Sequence, residues 1–554
     1  MMHHRASFCV KGAKSAGDDM QQVTEAVRSP HGMVVCPHAL ASAAGAQILS
    51  DGGHAVDAVI ATQAALSVVY PHMTGLGGDA FWLIYDAQTR AVQGLNGSGR
   101  SAQAATIDFY KRQGLMAIPQ RGPLAALTVP GAVDSWAQAH QRFGQLDWAT
   151  LLQPAIALAE SGYPVTGSQA HWTRRDRDYL QQYAPAPCPF LPQGTVPSAG
   201  TTITNPELAH TLRQLADRGA AAFYQGAIAA HITDYLASVG GVLTMDDLAA
   251  HQSDWVEPLA TTYRGYRVMQ MPPNSQGFTV LSMLNLIESF DLTQFGADSA
   301  NYYHLMIEAT KLAFADRDLW LTDPEFADIP IQQLISKPYS AQRRELIQME
   351  KARLAIAPPV GGDTVYTAVT DAAGNAVSVI QSVYFDFGAA VVVPGTGFVL
   401  QNRGSFFTLD ATQVNCLAPR KRTFHTLMPG LVLHPTGQPY LVLGTMGGEG
   451  QPQTQLALLT RLLDFGWAPQ AAINAPRWLW GRTWGEAETG LTMEGRIEPA
   501  IRYALQARGH PVTAAPDWTE KMGHAHVIRC SDDPMGYEGA CDPRSDGAAI
   551  APHT

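Results

Sequence analysis

The sequence predicts an α+β protein in which helical and strand patterns alternate on both sides of a proline- and glycine-rich break near residue 360. Three stretches carry that prediction. Residues 54–69 form an almost wholly apolar helical run, the pattern of a helix buried on most sides. Residues 364–370 and 376–384 are β-branched and aromatic runs joined by Asp371-Ala372-Ala373-Gly374-Asn375, which carries the Gly/Asn chemistry of a tight turn. Residues 439–443, 444–450 and 453–463 read in succession as strand, glycine loop and helix.

The length of 554 residues, with 46% hydrophobic and 15% charged content, describes a globular chain with ample core. A net charge of −11 and a pI near 5.9 argue against nucleic acid or an acidic membrane as partner, because neither supplies counterions to a negative protein. Cys9, Cys36, Cys188, Cys416, Cys530 and Cys541 lack CxxC spacing, so reduced structural thiols are expected rather than a disulfide framework or a zinc site. Residues 1–32 are a polar tail of mixed charge, open to disorder, and Met33 is an alternative start. The tail has no apolar core or small-residue cleavage site, and no run elsewhere is long enough to span a bilayer. A cytoplasmic location is the expectation that follows.

In chain order, residues 38–49 read as an alanine-rich helix stopped by Asp51-Gly52-Gly53. Gly75-Leu76-Gly77-Gly78 has the glycine content of a dinucleotide-binding loop, but it opens the strand-like run 81–85, whereas phosphate binding needs such a loop to open a helix. No cofactor is expected. Residues 304–324 read as one long helix whose charges solvate one face. His524 and His526 alternate onto one face of a short strand with no third ligand nearby in sequence, so core or hydrogen-bonded histidines are expected and no metal.

Taken alone, Thr364 is an ordinary strand residue. Its setting, Gly361-Gly362-Asp363-Thr364-Val365-Tyr366 after Ala357-Pro358-Pro359-Val360, resembles the start of the small subunit in the γ-glutamyltranspeptidase family of N-terminal-nucleophile hydrolases. The resemblance runs through the glycine loop at 75–78, Met271-Pro272-Pro273-Asn274-Ser275-Gln276-Gly277, residues 304–324, and Gly523-His524-Ala525-His526. It implies a four-layer αββα sandwich and self-cleavage between Asp363 and Thr364. A large subunit, 33–363, and a small subunit, 364–554, would then share one core as a heterodimer. The chemistry is coherent: a hydroxyl needs a base, and a newly terminal threonine brings its own α-amino group, with a pKa of ~7.7–8.0 in model peptides.

The resemblance also implies roles for other positions. Gly447 and Gly448 form the oxyanion hole, and Ser382 orients the nucleophile. A P-loop is excluded at 444–450, where the GK[ST] ending is missing and Glu449 would repel phosphate. Glutamate recognition departs from the family: Phe406 stands where transpeptidases hold the substrate ammonium with an aspartate, and His425-Thr426 replace paired serines. Ser98 occupies the place of the family's carboxylate-binding arginine. Arg100, two residues on, either substitutes for it or is a surface charge.

What remains suits a carboxylate without an amine: Arg403, His425 and Thr426 as donors, with Asn402, Tyr384 and Arg100 beside them. The competing expectation is that Arg403 and His425 pair with internal carboxylates. Gly444-Thr445-Met446-Gly447-Gly448-Glu449-Gly450 with Gln401-Asn402-Arg403-Gly404 resembles the oxamate amidohydrolase branch of purine breakdown, which implies oxamate hydrolysis to oxalate and ammonia. The alternatives are a glutathione hydrolase or γ-glutamyltransferase, a cephalosporin-acylase-like amidase, and an uncleaved binding protein.

Overall fold

Helices and strands stack into four layers, helix–sheet–sheet–helix, in the computed structural model, which describes residues 25–354, 362–481, 490–531 and 536–553. The first seven-stranded sheet runs Ala548–Ile550, Gly32–Cys36, Asp363–Asp371, Ala376–Tyr384, Asp79–Asp86, Ala91–Gly97, Asp254–Val256. The second runs Val27–Ser29, Tyr537–Cys541, Ala525–Cys530, Pro439–Thr445, Gly430–Leu433, Tyr266–Gln270, Leu259–Tyr263. Neighbours in both are antiparallel. Each sheet takes strands from both sides of position 364, so the two parts of the chain cannot form separate cores.

The hairpin that carries Thr364 is central, and its alternation sorts its side chains between two environments. Val365 and Val369 face the helix Ala55–Val69, which is buried along its whole length, and Gln63 donates to Thr367 Oγ1 at 3.0 Å. Tyr366 and Ala368 face the other way and pack with Leu431, Val442 and Ile528 of the second sheet. The turn closes through Asp371, whose Oδ1 accepts from Ala373 N and Asn375 N, each at 3.0 Å. Its Oδ2 accepts from Ala55 N at 3.0 Å, which ties the hairpin tip to the start of the buried helix.

Two expectations are corrected. The tail is shorter than residues 1–32: Val27–Ser29 already pairs with Tyr537–Cys541 because its backbone completes a sheet edge, while residues 1–24, including Cys9, lie outside the described residues. The helix Ala300–Trp320 does not solvate its charges. Glu308, Lys311, Asp316 and Arg317 are all buried, each meeting an opposite charge, and of the helix's charges only Asp318 is exposed. Cys36, Cys188, Cys416, Cys530 and Cys541 are free thiols. No helix among the described residues is long and apolar enough to cross a membrane.

The sheets approach closely where Gly444 lies under the Tyr366 ring, and a Cβ at 444 would overlap it. Gly444→Val is expected to lower stability by about 2–3 kcal/mol, in the range for overpacking a dense interior. Thermal or urea unfolding checks this, and wild-type stability would contradict the packing described.

Candidate active site

Thr364 sits where the hairpin register breaks. Asp363 pairs with Tyr384 and Val365 with Gln381, so Thr364 alone faces both Ser382 and Val383. A bulge of this kind bends a strand and re-aims a side chain, which is why bulges gather beside active sites. Alternation places Thr364 on the same face as Tyr366, toward the second sheet. Its side chain is buried, and Oγ1 has no hydrogen-bond partner among the described residues. An unpaired buried hydroxyl costs roughly 1–3 kcal/mol, so this position is poorly explained by stability. Gly362 lies against the Tyr384 ring, leaving no room for a side chain just before Asp363, whose own side chain lies outside the described residues.

On the facing sheet, the strand Pro439–Thr445 runs into a glycine turn ahead of the helix Gly450–Leu463. Gly447 and Gly448 have φ of 116° and 51°, conformations that side-chain-bearing residues rarely adopt. Gly450 N donates to Gly447 O at 2.7 Å, placing the turn at a helix N-terminus, where free N–H groups and the helix dipole favour negative charge. Glu449 would oppose that, but Arg317 holds it at 2.6 Å and both side chains are buried.

A chain of hydrogen bonds joins this turn to the strand opposite Thr364. Gln276 Nε2 donates to Gly448 O at 3.1 Å and to Thr426 O at 2.9 Å, while its Oε1 accepts from Arg317 at 3.0 Å. Thr426 Oγ1 accepts from Arg403 Nη1 at 3.2 Å. Ser382 Oγ accepts from Arg403 Nη2 at 3.4 Å and from Tyr384 N at 2.7 Å.

Arg403 is 1% exposed, with its guanidinium 4.4 Å from the Tyr384 ring centre and 5.3 Å from that of Phe406. Its hydrogen bonds go to neutral hydroxyls, its Nε has no partner, and among the described residues it forms no ion pair. Burial pulls its pKa down to about 10, opposed by Tyr384 and Asp79, which leaves it a cation at neutral pH. A buried cation without a counter-ion costs several kcal/mol, so the pocket has a standing preference for an anion.

His425 behaves differently. Its Nε2 bonds Asp79 Oδ2 at 3.2 Å, and since a carboxylate accepts, Nε2 carries the proton and Nδ1 accepts from Leu427 N at 3.4 Å. Burial, reinforced by Arg403, pushes its pKa down to about 3, so the ring is neutral. The internal carboxylate expected as a competing partner is therefore Asp79 for His425, and it leaves no ring nitrogen for a substrate. Asp79 Oδ1 also accepts from Gly99 N, Gly131 N and Gln401 Nε2 at 3.1, 3.0 and 2.9 Å. Burial raises the Asp79 pKa, but the His425 hydrogen bond and the Arg403 charge outweigh it and hold the carboxyl below its ordinary value.

Two of the residues expected near the substrate are engaged by partners within the chain. Asn402 is committed to backbone: its Oδ1 accepts from Phe385 N at 3.0 Å and its Nδ2 donates to Gln120 O at 2.8 Å. Arg100 is outside the cluster because two acids claim it, Asp323 at 3.4 Å and Glu325 at 2.6 Å. Asp79 and Gln276 were missed as organisers of the site. Both lie in glycine-containing stretches that read as turns, and nothing local marks either side chain as buried.

Fold and pocket together define an N-terminal-nucleophile type of hydrolase. The profile of the family described as Gamma-glutamyltranspeptidase matches residues 41–552, and the chain belongs to that family of hydrolases acting on amide C–N bonds. A glutathione hydrolase-like YwrD proenzyme of Bacillus subtilis (strain 168) is 49% identical over 94% of this chain and 98% of its own. An oxamate amidohydrolase proenzyme of Klebsiella pneumoniae subsp. pneumoniae is 42% identical over 94% and 98%. The crystal structure of a cephalosporin acylase from Bacillus halodurans superposes with a TM-score of 0.88 at 37% identity, covering 100% of both chains.

Asp79→Asn keeps an oxygen for the three N–H groups on Oδ1 but sets an amide donor against the His425 Nε2–H in place of Oδ2, and it removes the negative charge that acts on Arg403. The expected result is a loss of about 3–5 kcal/mol in urea unfolding, the scale for breaking a buried charge network. A loss under 1 kcal/mol would show that Asp79 does not organise the site.

Proposed function

We propose that the chain cuts itself between Asp363 and Thr364, into an upstream part ending at Asp363 and a downstream part 364–554, and that the freed Thr364 then hydrolyses a small amide bearing a carboxylate, oxamate foremost. The observation that carries this reading is Arg403: a buried cation without a carboxylate partner among the described residues, bonded to Ser382 and Thr426 beside the nucleophile strand. The kinship with proteins named as proenzymes, one an oxamate amidohydrolase, supports it.

In self-cleavage, Thr364 Oγ attacks the Asp363 carbonyl carbon, and the Asp363–Thr364 C–N bond breaks as its nitrogen takes the hydroxyl proton. Water hydrolyses the resulting ester, leaving a carboxylate on Asp363 and a free amine on Thr364. That amine accepts the Oγ proton when Oγ attacks the oxamate amide carbon. The N–H groups of Gly447 and Gly448 meet the developing oxyanion, each such donor being worth about 10²–10³ in rate. The proton passes to the amide nitrogen, ammonia leaves, and an oxalyl ester remains. Water, deprotonated by the same amine, releases oxalate and restores the hydroxyl. The substrate carboxylate lies against Arg403 throughout, with Ser382 and Thr426 orienting the guanidinium.

A γ-glutamyl substrate fits less well. The Phe406 ring stacks on Tyr384 with centres 4.4 Å apart and cannot neutralise an ammonium, while Asp79 already receives four hydrogen bonds. The high identity to a glutathione hydrolase-like protein nevertheless makes γ-glutamyl hydrolysis the second reading.

Intact mass together with ammonia release from oxamate and anilide release from γ-glutamyl-nitroanilide separates the two. Two fragments meeting at 363/364 with ammonia release are expected; anilide release without ammonia would overturn the oxamate reading. Thr364→Ala is expected to remain one chain without turnover, and an active Ala variant sinks the role of Thr364. Arg403→Met is expected to lower kcat/KM for oxamate by about 10²-fold or more, on the scale of losing one partner of a buried ion pair.

A further inference from the structure

Away from the pocket, four buried polar side chains meet the segment that leads to the cleavage position. His304, Glu308 and Lys311 share one face of the helix Ala300–Trp320, and His510 comes from the other side of the scissile bond in sequence. Lys311 Nζ donates to Glu308 Oε1 at 2.8 Å, to Arg353 O at 2.8 Å and to His510 Nδ1 at 3.4 Å, which uses all three of its N–H bonds. Glu308 Oε2 accepts from Arg353 N at 3.1 Å. His304 Nε2 bonds Gln348 O at 2.8 Å, and its Nδ1 lies 2.8 Å from His510 Nε2.

The hydrogen-bond directions follow from the two ends. A carbonyl only accepts, so His304 carries its proton on Nε2 and accepts at Nδ1. His510 therefore donates from Nε2 and accepts from the Lys311 ammonium at Nδ1. Every lone pair of the two rings is in use, and Lys311 supplies the positive charge beside Glu308. For that reason His304, Glu308 and His510 read as a hydrogen-bonded clamp, although their ligating atoms lie close enough together to hold a metal ion.

The clamp grips backbone, holding both the N–H and the C=O of Arg353 and the C=O of Gln348. Ala352 N adds a 2.7 Å bond to Arg508 O, and Arg508 Nη1 returns to Ala300 O at 3.1 Å. Backbone atoms of 348–353 are thus fixed at once to residues from both sides of position 364. Arg353 is separated from Thr364 by ten residues, 354–363.

We propose that this cluster positions the segment upstream of the scissile bond for self-cleavage, with Glu308 and Lys311 as positioning residues, and that it afterwards holds the new end of the large part on the small part. The proposal rests on the self-cleavage half of the function proposed above and is independent of oxamate. Thr364 Oγ and the Asp363 carbonyl belong to adjacent residues, so the clamp acts through the hold it keeps on the upstream chain and not through local concentration, and slower cleavage is expected on its loss.

The test follows cleavage of freshly purified full-length chain by intact mass for the wild type, Lys311→Met and Arg353→Pro. The second variant removes the N–H that Glu308 accepts, along with the exposed Arg353 side chain, and leaves the buried side chains intact, so it remains informative where Lys311→Met fails to fold. Both variants are expected to cleave at least about 2-fold more slowly, while kcat and KM measured on the fully cleaved fraction, with whichever amide the wild type turns over, stay at wild-type values. Arg353→Pro cleaving at the wild-type rate, or cleaved material losing kcat in parallel, overturns the clamp. A wild-type chain that never cleaves refutes the reading of Thr364 and removes the basis for the clamp; cleavage without oxamate turnover refutes only the substrate.

Discussion

The Asp79 carboxylate is the constraint on which the pocket depends. One oxygen gathers two backbone N–H groups and the Gln401 amide, drawing the loops at Gly99, Gly131 and Gln401 to a single point. The other oxygen fixes the tautomer of His425. His425 in turn sets the path of its own strand-like segment, since His425 N donates to Asn274 O and Gln276 N to His425 O. Through Gln276 the same framework reaches the glycine turn. A network of this kind stands or falls together, because each buried polar atom depends on its partner being in place.

That framework is what allows Arg403 to stay charged while buried. Its field is partly balanced by Asp79 without the two forming an ion pair, so the guanidinium is held in position but not consumed. The Tyr384 and Phe406 rings add cation–π attraction, and the Ser382 and Thr426 hydroxyls accept its hydrogen bonds. Contrast Arg317, equally buried, whose charge is spent on Glu449 and Asp318. Of these two buried arginines beside the site, one supports the glycine turn and the other is left for an incoming anion.

Much of the fold was legible because it rests on local rules. The turn at Asp371–Asn375, the buried helix at 55–69 and the strand–loop–helix at 439–463 follow from side-chain shape and periodicity, which act over a few residues. The tail and the helix Ala300–Trp320 were misread for a common reason: polarity alone does not tell whether a segment is covered. Val27–Ser29 is drawn into a sheet by backbone pairing, which any side chain permits, and Lys311 is buried because partners more than 40 residues away in sequence complete its hydrogen bonds.

By itself, the sequence determined the fold class, the place of Thr364 after a break in the chain, the glycine turn at 447–448, and the missing carboxylate at Phe406. Each of these depends on residue identity within a short window. Only the tertiary structure decided which charges are free. Arg100, Arg403 and His425 are alike as candidates in one dimension, and their roles separate only when Asp323 and Glu325 claim the first, Asp79 claims the third, and no carboxylate among the described residues pairs with the second. Charge pairing acts through space over a few ångströms, between residues hundreds of positions apart, and local sequence carries no record of it.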